Sequence, residues 1–309
     1  MISLQSPAQQ TPSARLPIVG LVFTSFIWGS LIPLIAALRG TYDPMFILLV
    51  RYLPAQPVLL LAALLIERKW PYATNVPWSR VALLSSAGLL GFSSLHTIGI
   101  LLSDPIWAAI VTSLGPLTTA VTAKALDGIS FPRGLGVAIA CAVGGGLLVA
   151  ANGDLPRAFQ GGELLLIASQ ICWTWYSLRA QAWLATGGFS QLQITAVTSG
   201  MASLFLATGY VALLLAGQIS FPAVRLEASH VATLLWIGVA GTGVGLVAWN
   251  AAVNRLGVPI AALYLNLIPL FAIAIAAACG APVTWLQIAG GLLVIAGVLQ
   301  MQIRRLRAA

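Results

Sequence analysis

The chain has 309 residues, of which 59% are hydrophobic and 7% charged, against roughly 25% charged residues in soluble domains, so water is not the solvent for most of it. Its formal net charge is +8, from 15 Lys and Arg against 7 Asp and Glu. The bases are dispersed among short polar segments rather than stacked on one face, which argues against nucleic-acid binding and for contact with membrane lipids, anionic ones included.

Residues 1–16 hold few large apolar side chains and are expected to be a disordered tail. A hydrocarbon core of about 30 Å needs roughly 20 apolar residues in a helix. Windows of that length follow at 17–38, 46–66, 80–102, 105–125, 132–150, 162–182, 190–215, 231–253, 258–278 and 283–303. The first is longer than the roughly 7–15 apolar residues of a signal peptide. Backbone groups in lipid must be satisfied within the segment, and runs of this length without alternating polarity are not barrel strands. The expected fold is all-α integral membrane, with ten transmembrane helices. A basic cytoplasmic tail, 304–309, closes the chain.

With the amino terminus cytoplasmic, the inside segments carry Arg15, Arg68, Lys69, Arg80, Lys124, Arg133, Arg255, Arg304, Arg305 and Arg307, and the outside loops only Arg39, Arg157 and Arg225. That bias places both termini in the cytoplasm. The chain also repeats itself. Ser79, Val81, Ala82, Leu84, Gly88 and Gly91 are matched by Ser229, Val231, Ala232, Leu234, Gly238 and Gly241; further on, Pro105, Ala109, Pro116, Leu117 and Gly144 are matched by Val258, Ala262, Pro269, Leu270 and Gly297. Two repeats, 17–150 and 151–303, with five spans each, must enter the membrane from opposite sides, an inverted arrangement that suits alternating access.

Site residues are sought at membrane depth, where polar groups are costly unless paired or hydrated. In chain order, Trp28 lies mid-depth in the first span. Arg51 and Tyr52 lie early in the second, and His96 in the outer third of the third. Trp107 opens the fourth. Trp173, Trp175 and Tyr176 follow in the sixth, Trp249 and Asn250 in the eighth, and Tyr264 in the ninth. Together they would wall a cavity for a substrate with an apolar or aromatic body. For Arg51 two readings stand level: holding a substrate carboxylate, or snorkelling outward toward Asp43. Either Trp173 or Trp175 could face the cavity. Tyr264 and Asn266, two residues apart, point about 200° from one another on a helix. Pro116 and Pro269, inside the fourth and ninth spans, each remove a helical hydrogen bond and are expected to bend those helices as gating elements.

Phe26-Ile27-Trp28-Gly29-Ser30, Arg51, and the segments Ala109 to Leu117 and Ala262 to Leu270 with their central prolines resemble the EamA-type branch of the drug/metabolite transporter superfamily. The resemblance covers about residues 17–303. Within that family the chain looks most like bacterial exporters of aromatic amino acids and related metabolites. It implies a multi-pass protein of the bacterial inner membrane that works without cofactor, metal or ATP.

The seven acidic residues, Asp43, Glu67, Asp104, Asp127, Asp154, Glu163 and Glu227, all fall in loops or at span ends. No carboxylate is therefore expected at mid-depth, and His96 is left as the candidate for proton coupling. Cys141, Cys172 and Cys279 lack metal-site spacing and are expected to be core thiols. Gly241, Gly243 and Gly245 are expected to allow close helix packing. The leading reading is a facilitative amino-acid exporter acting as a monomer. The alternative is a multidrug or sugar-type carrier of the same fold. An intramembrane enzyme would need paired acids, a metal cluster or an activated nucleophile, and the sequence offers none.

Overall fold

The computed structural model describes residues 15–38, 40–72, 75–103, 111–112, 114–128, 130, 134–150, 161–219, 227–278 and 284–306. Among these residues regular structure is helical throughout, without strands. The helices are α1 (Arg15–Ala37), α2 (Pro44–Glu67), α3 (Trp78–Leu102), α4 (Gly115–Asp127) and α5 (Leu135–Ala150). They are followed by α6 (Gly162–Ala180, prolonged by a π-turn at Gln181–Ala185), α7 (Gln191–Leu215), α8 (Ala228–Leu256), α9 and α10 (Trp285–Leu306). Helix α9 is in two pieces, Val258–Tyr264 and Ile268–Ala278, joined by a 3₁₀ turn at Leu265–Leu267. Five stretches, Leu16–Ile35 and the whole of α2, α3, α7 and α8, are long and apolar enough to cross a membrane.

Local chemistry sets the boundaries. Asp43 caps α2, its Oδ1 accepting the Met45 N–H at 2.7 Å, and Pro44 occupies the first turn, where no N–H is needed. Ser190 and Gln193 form a reciprocal capping box at the start of α7. Pro116 and Pro269, expected inside continuous helices, are each the second residue of a described helix, Gly115–Asp127 and Ile268–Ala278, where a missing N–H breaks no bond within that segment. Trp107, Cys279, Arg39, Arg133, Arg157 and Arg225 lie outside the described residues.

Neighbouring helices run antiparallel. Tyr42, in the α1–α2 turn, meets His230 at the start of α8, with OH to Nδ1 at 3.3 Å. At the other end the Ser190 hydroxyl donates to Glu67 at 2.8 Å, and Arg179 of α6 pairs with Asp127 of α4 at 2.7 Å. Helix α3 packs on α6 and α7, α8 on α1 and α2, α4 on α6, α9 on α1, and α5 on α10. The bundle turns apolar side chains outward: Leu65, Ile66, Leu215, Ile288 and Leu292 are all exposed. Hydroxyls lie inside, and Ser25, Ser85, Thr174 and Thr198 are fully buried. Thr24, Ser85, Thr174 and Thr198 each donate to a carbonyl one turn earlier, which satisfies a hydroxyl where water is absent. This polarity suits lipid as the surrounding solvent.

Close backbone approach makes one glycine indispensable to the packing of α8 on α2. A Cβ at Gly238 would lie 2.7 Å from the Val50 carbonyl oxygen, a backbone atom that cannot rotate away. Gly238→Ala is expected to cost about 1–3 kcal/mol and to lower the thermal unfolding midpoint in detergent by several degrees. An unchanged midpoint would show that α2 and α8 can separate freely at this level.

Candidate functional site

The helix segments nearest the α1–α2 end converge on a cavity of about 60 Å³. Its lining comes from α1 (Trp28, Leu31, Ile35), α2 (Arg51), α3 (Phe92, His96, Ile100), Thr112, and α9 (Ile268). Ligand sites for small molecules span roughly 300–1,000 Å³. The conformation described is thus contracted around the site, with room for no more than a few waters.

Trp28 forms its floor, and two further tryptophans pack behind that ring. Trp28 meets Trp173 edge to face at 5.4 Å between ring centroids, and Trp249 lies 5.8 Å from Trp28 and 5.3 Å from Trp173. Phe92 adds a fourth ring, 4.9 Å from Trp173. Trp28 is fixed in rotation because its indole N–H donates to the Gly241 carbonyl at 2.9 Å. That carbonyl is free for it because α8 widens into π-turns over Trp236–Val244. There the Gly245 N–H bonds Ala240 instead of its α-helical partner, Gly241. The absence of a side chain at Gly245 makes room, since a Cβ there would lie 2.7 Å from Trp28 Nε1. Within the Gly241–Gly245 run, Gly245 seats the indole, whereas Gly241 lies against Leu31 of α1 and Gly243 against Ala55 of α2.

The walls carry two polar side chains. Arg51 is 8% exposed, its guanidinium carbon lies 5.7 Å from the Phe92 ring centroid, and its Nη1 has no hydrogen-bond partner. It does not pair with Asp43, whose carboxylate is engaged in capping α2. His96 lies one helical turn beyond Phe92, with ring centroids 5.1 Å apart, and its Nδ1 likewise lacks a partner.

The other expected residues are distributed differently. Tyr52 is buried between α2 and α3, bonded to the Ser93 hydroxyl and, at 3.2 Å, to the Leu89 carbonyl. Trp173 faces the centre, whereas Trp175 packs edge to face on Trp183 at 5.8 Å. Tyr176, Trp249 and Asn250 lie beneath the floor, all fully buried. Asn250 donates to Thr195 Oγ1 at 2.9 Å and to the Tyr176 hydroxyl at 3.3 Å; Trp249 donates to Ser177 at 3.2 Å. Tyr264 is also buried, and its carbonyl accepts the Ser25 hydroxyl of α1 at 2.8 Å. Phe92 is absent from the residues that sequence reasoning selects. The one available signal was its spacing of four from His96, which puts both on one helix face.

A helical bundle with an apolar exterior and a buried aromatic pocket suits a membrane transporter. The chain belongs to the EamA-like transporter family, whose model matches residues 15–151 and again 160–301, within the drug/metabolite transporter superfamily. It is similar to the uncharacterized transporter YyaM of Bacillus subtilis (strain 168), 27% identical over 227 residues, covering 70% of each chain. One crystal structure superposes with a TM-score of 0.74 over 96% of this chain and 99% of the other at 19% identity, which establishes a shared fold.

Proposed function

We propose that the protein exports amino acids with aromatic or other neutral side chains, and related metabolites, across the bacterial inner membrane by alternating access, without ATP or any cofactor. The observation that carries this reading is the cavity whose floor is Trp28, backed by Trp173 and Trp249, and whose walls hold Phe92, Arg51 and His96. Rings supply stacking area for an apolar body, and a few polar groups orient its charged end. In this reading ten helices cross the membrane as two inverted repeats, 17–150 and 151–303, both termini are cytoplasmic, and one chain forms a complete pathway. The packing supports the repeat: exchanging α1–α5 with α6–α10 maps α3 on α6 onto α8 on α1, and α4 on α6 onto α9 on α1. The two separate matches to the family model support it too.

The cavity lies toward the α1–α2 end, outside in this orientation, while the Tyr176–Asn250 layer seals the cytoplasmic side. Substrate would reach the cavity from the cytoplasm when that layer parts. A proton-coupled mode, including for a multidrug or sugar-type carrier, is favoured by one observation, the unpartnered His96 nitrogen.

Uptake of labelled amino acids into liposomes holding only this protein tests both. Saturable uptake without a gradient is the expected result. Uptake that requires a pH gradient would replace the facilitative mode with a coupled one. If the folded protein moved no amino acid under either condition, the amino-acid reading would be overturned.

A further inference from the structure

Among the described residues the cation at the cavity has no counterion. Among the described acids, Asp43 caps α2, Asp127 pairs with Arg179, and Glu67 accepts from Ser190 at the opposite end. Glu227 is exposed before the first turn of α8, and Glu163 belongs to the first turn of α6. None of them lines the cavity. A guanidinium held in lipid-depth protein is stable when an anion or a fixed dipole completes it, and a carboxylate matches its planar fork with two parallel hydrogen bonds. Here one face of the guanidinium is already turned to Phe92, and Nη1 remains unused on a side chain that is 8% exposed.

An ammonium finds a different environment. No carboxylate among the described residues faces the cavity, Arg51 would repel a cation, and the Phe92 face is occupied by Arg51 itself. Among the described residues the remaining lining is the Trp28 ring, the His96 imidazole, Thr112 and aliphatic side chains.

Resting on the transporter reading above, we infer that this site recognises its substrate through the carboxylate, docked on Arg51 with His96 beside it, and does not require the α-amino group. The substrate class is then aromatic or apolar monocarboxylates, of which amino acids are one subset. Deaminated acids are accepted, and decarboxylated amines are rejected.

Three probes that share one ring separate the possibilities: phenylalanine, 3-phenylpropanoate and 2-phenylethylamine, each tested for uptake and for mutual competition in proteoliposomes. Phenylalanine and 3-phenylpropanoate should have half-saturating concentrations within about threefold of one another. The amine should compete at least about tenfold more weakly, the scale expected when a charge-assisted hydrogen bond is lost. Arg51→Gln should remove that preference for the acids, while Arg51→Lys, which keeps the charge without the fork, should retain part of it.

Because a change at buried Arg51 also bears on folding, the wild-type comparison of acid and amine decides the question alone. Transport of phenylalanine with exclusion of 3-phenylpropanoate would overturn carboxylate-only recognition and leave the amino-acid reading intact. Transport of 3-phenylpropanoate without phenylalanine would overturn the amino-acid reading and leave this inference standing. Preference for the amine would overturn the role given to Arg51.

Discussion

Asn250→Leu is expected to shift the resting population toward the conformation open at the end where α6 and α8 finish and α7 begins. Asn250 is fully buried and its amide nitrogen joins α8 to Thr195 of α7 at 2.9 Å and to Tyr176 of α6 at 3.3 Å. In the proposed alternating access these three helices part at that end, and the two bonds then stabilise the closed state alone. A neutral hydrogen bond contributes about 0.5–1.5 kcal/mol net, and somewhat less between helices in lipid. Losing both is worth about 1–3 kcal/mol, a shift of roughly 5- to 150-fold in the closed-to-open ratio. Leucine has the same number and branching of side-chain heavy atoms as asparagine but is bulkier, so the variant's thermal midpoint in detergent is measured alongside to show that packing is kept. No hydroxyl is left unpaired, because Tyr176 retains Thr198 at 3.2 Å and Thr195 retains the Gln191 carbonyl at 2.8 Å.

The readout is a cysteine at Val253, a buried residue next to a cleft formed by α6, α8 and the start of α9. In a background without the three native cysteines, its modification by a membrane-impermeant maleimide from that side should accelerate about tenfold or more in Asn250→Leu. An unchanged rate in a folded variant would remove the Asn250 layer from the gate.

Much of the fold was legible because lipid leaves few alternatives. Apolar runs of about 20 residues must be helices, and the expected second span, 46–66, falls within α2 at Pro44–Glu67. At the site, Trp28, Arg51 and His96 stood out because large or polar groups at depth are conspicuous. Phe92 did not, since a phenylalanine in an apolar helix is ordinary until its neighbours are known. Trp173 and Trp175, two residues apart, point in nearly opposite directions, and only the packing of α6 on α3 selects Trp173. Sequence depth also failed to separate lining from barrier: Tyr176, Trp249 and Asn250 have the depth of a site but lie under it. The Gly241 carbonyl that holds Trp28 is exposed by a π-turn, a backbone event that no residue type announces.

The prolines occupy matching positions, each the second residue of a helix that follows a break, Gly115–Asp127 and Ile268–Ala278, and Pro269 gives the second large effect. Pro269→Ala is expected to reduce maximal transport rate several-fold while leaving half-saturation nearly unchanged. Proline has no N–H to offer the Leu265 carbonyl four residues earlier; the Ile268 N–H takes that carbonyl instead, which tightens Leu265–Leu267 into a 3₁₀ turn. The break divides α9 beside α1, where the Ser25 hydroxyl binds the Tyr264 carbonyl, and next to the cavity residue Ile268.

An alanine restores the donor. It improves helix propensity by about 3 kcal/mol relative to proline, so α9 can close into one continuous rod. A stiffer α9 resists the bending that alternates the two openings, and turnover slows, whereas the polar groups that hold substrate are untouched. Pro116→Ala should have a comparable effect, because Pro116 is likewise the second residue of its helix, after a three-residue turn closed by the Leu114 N–H on the Val111 carbonyl. Initial rates over a substrate series in proteoliposomes decide the matter. A loss confined to one of the two variants would overturn the symmetric role that the repeat implies, and a change confined to half-saturation would make the α9 break part of the binding site rather than a hinge.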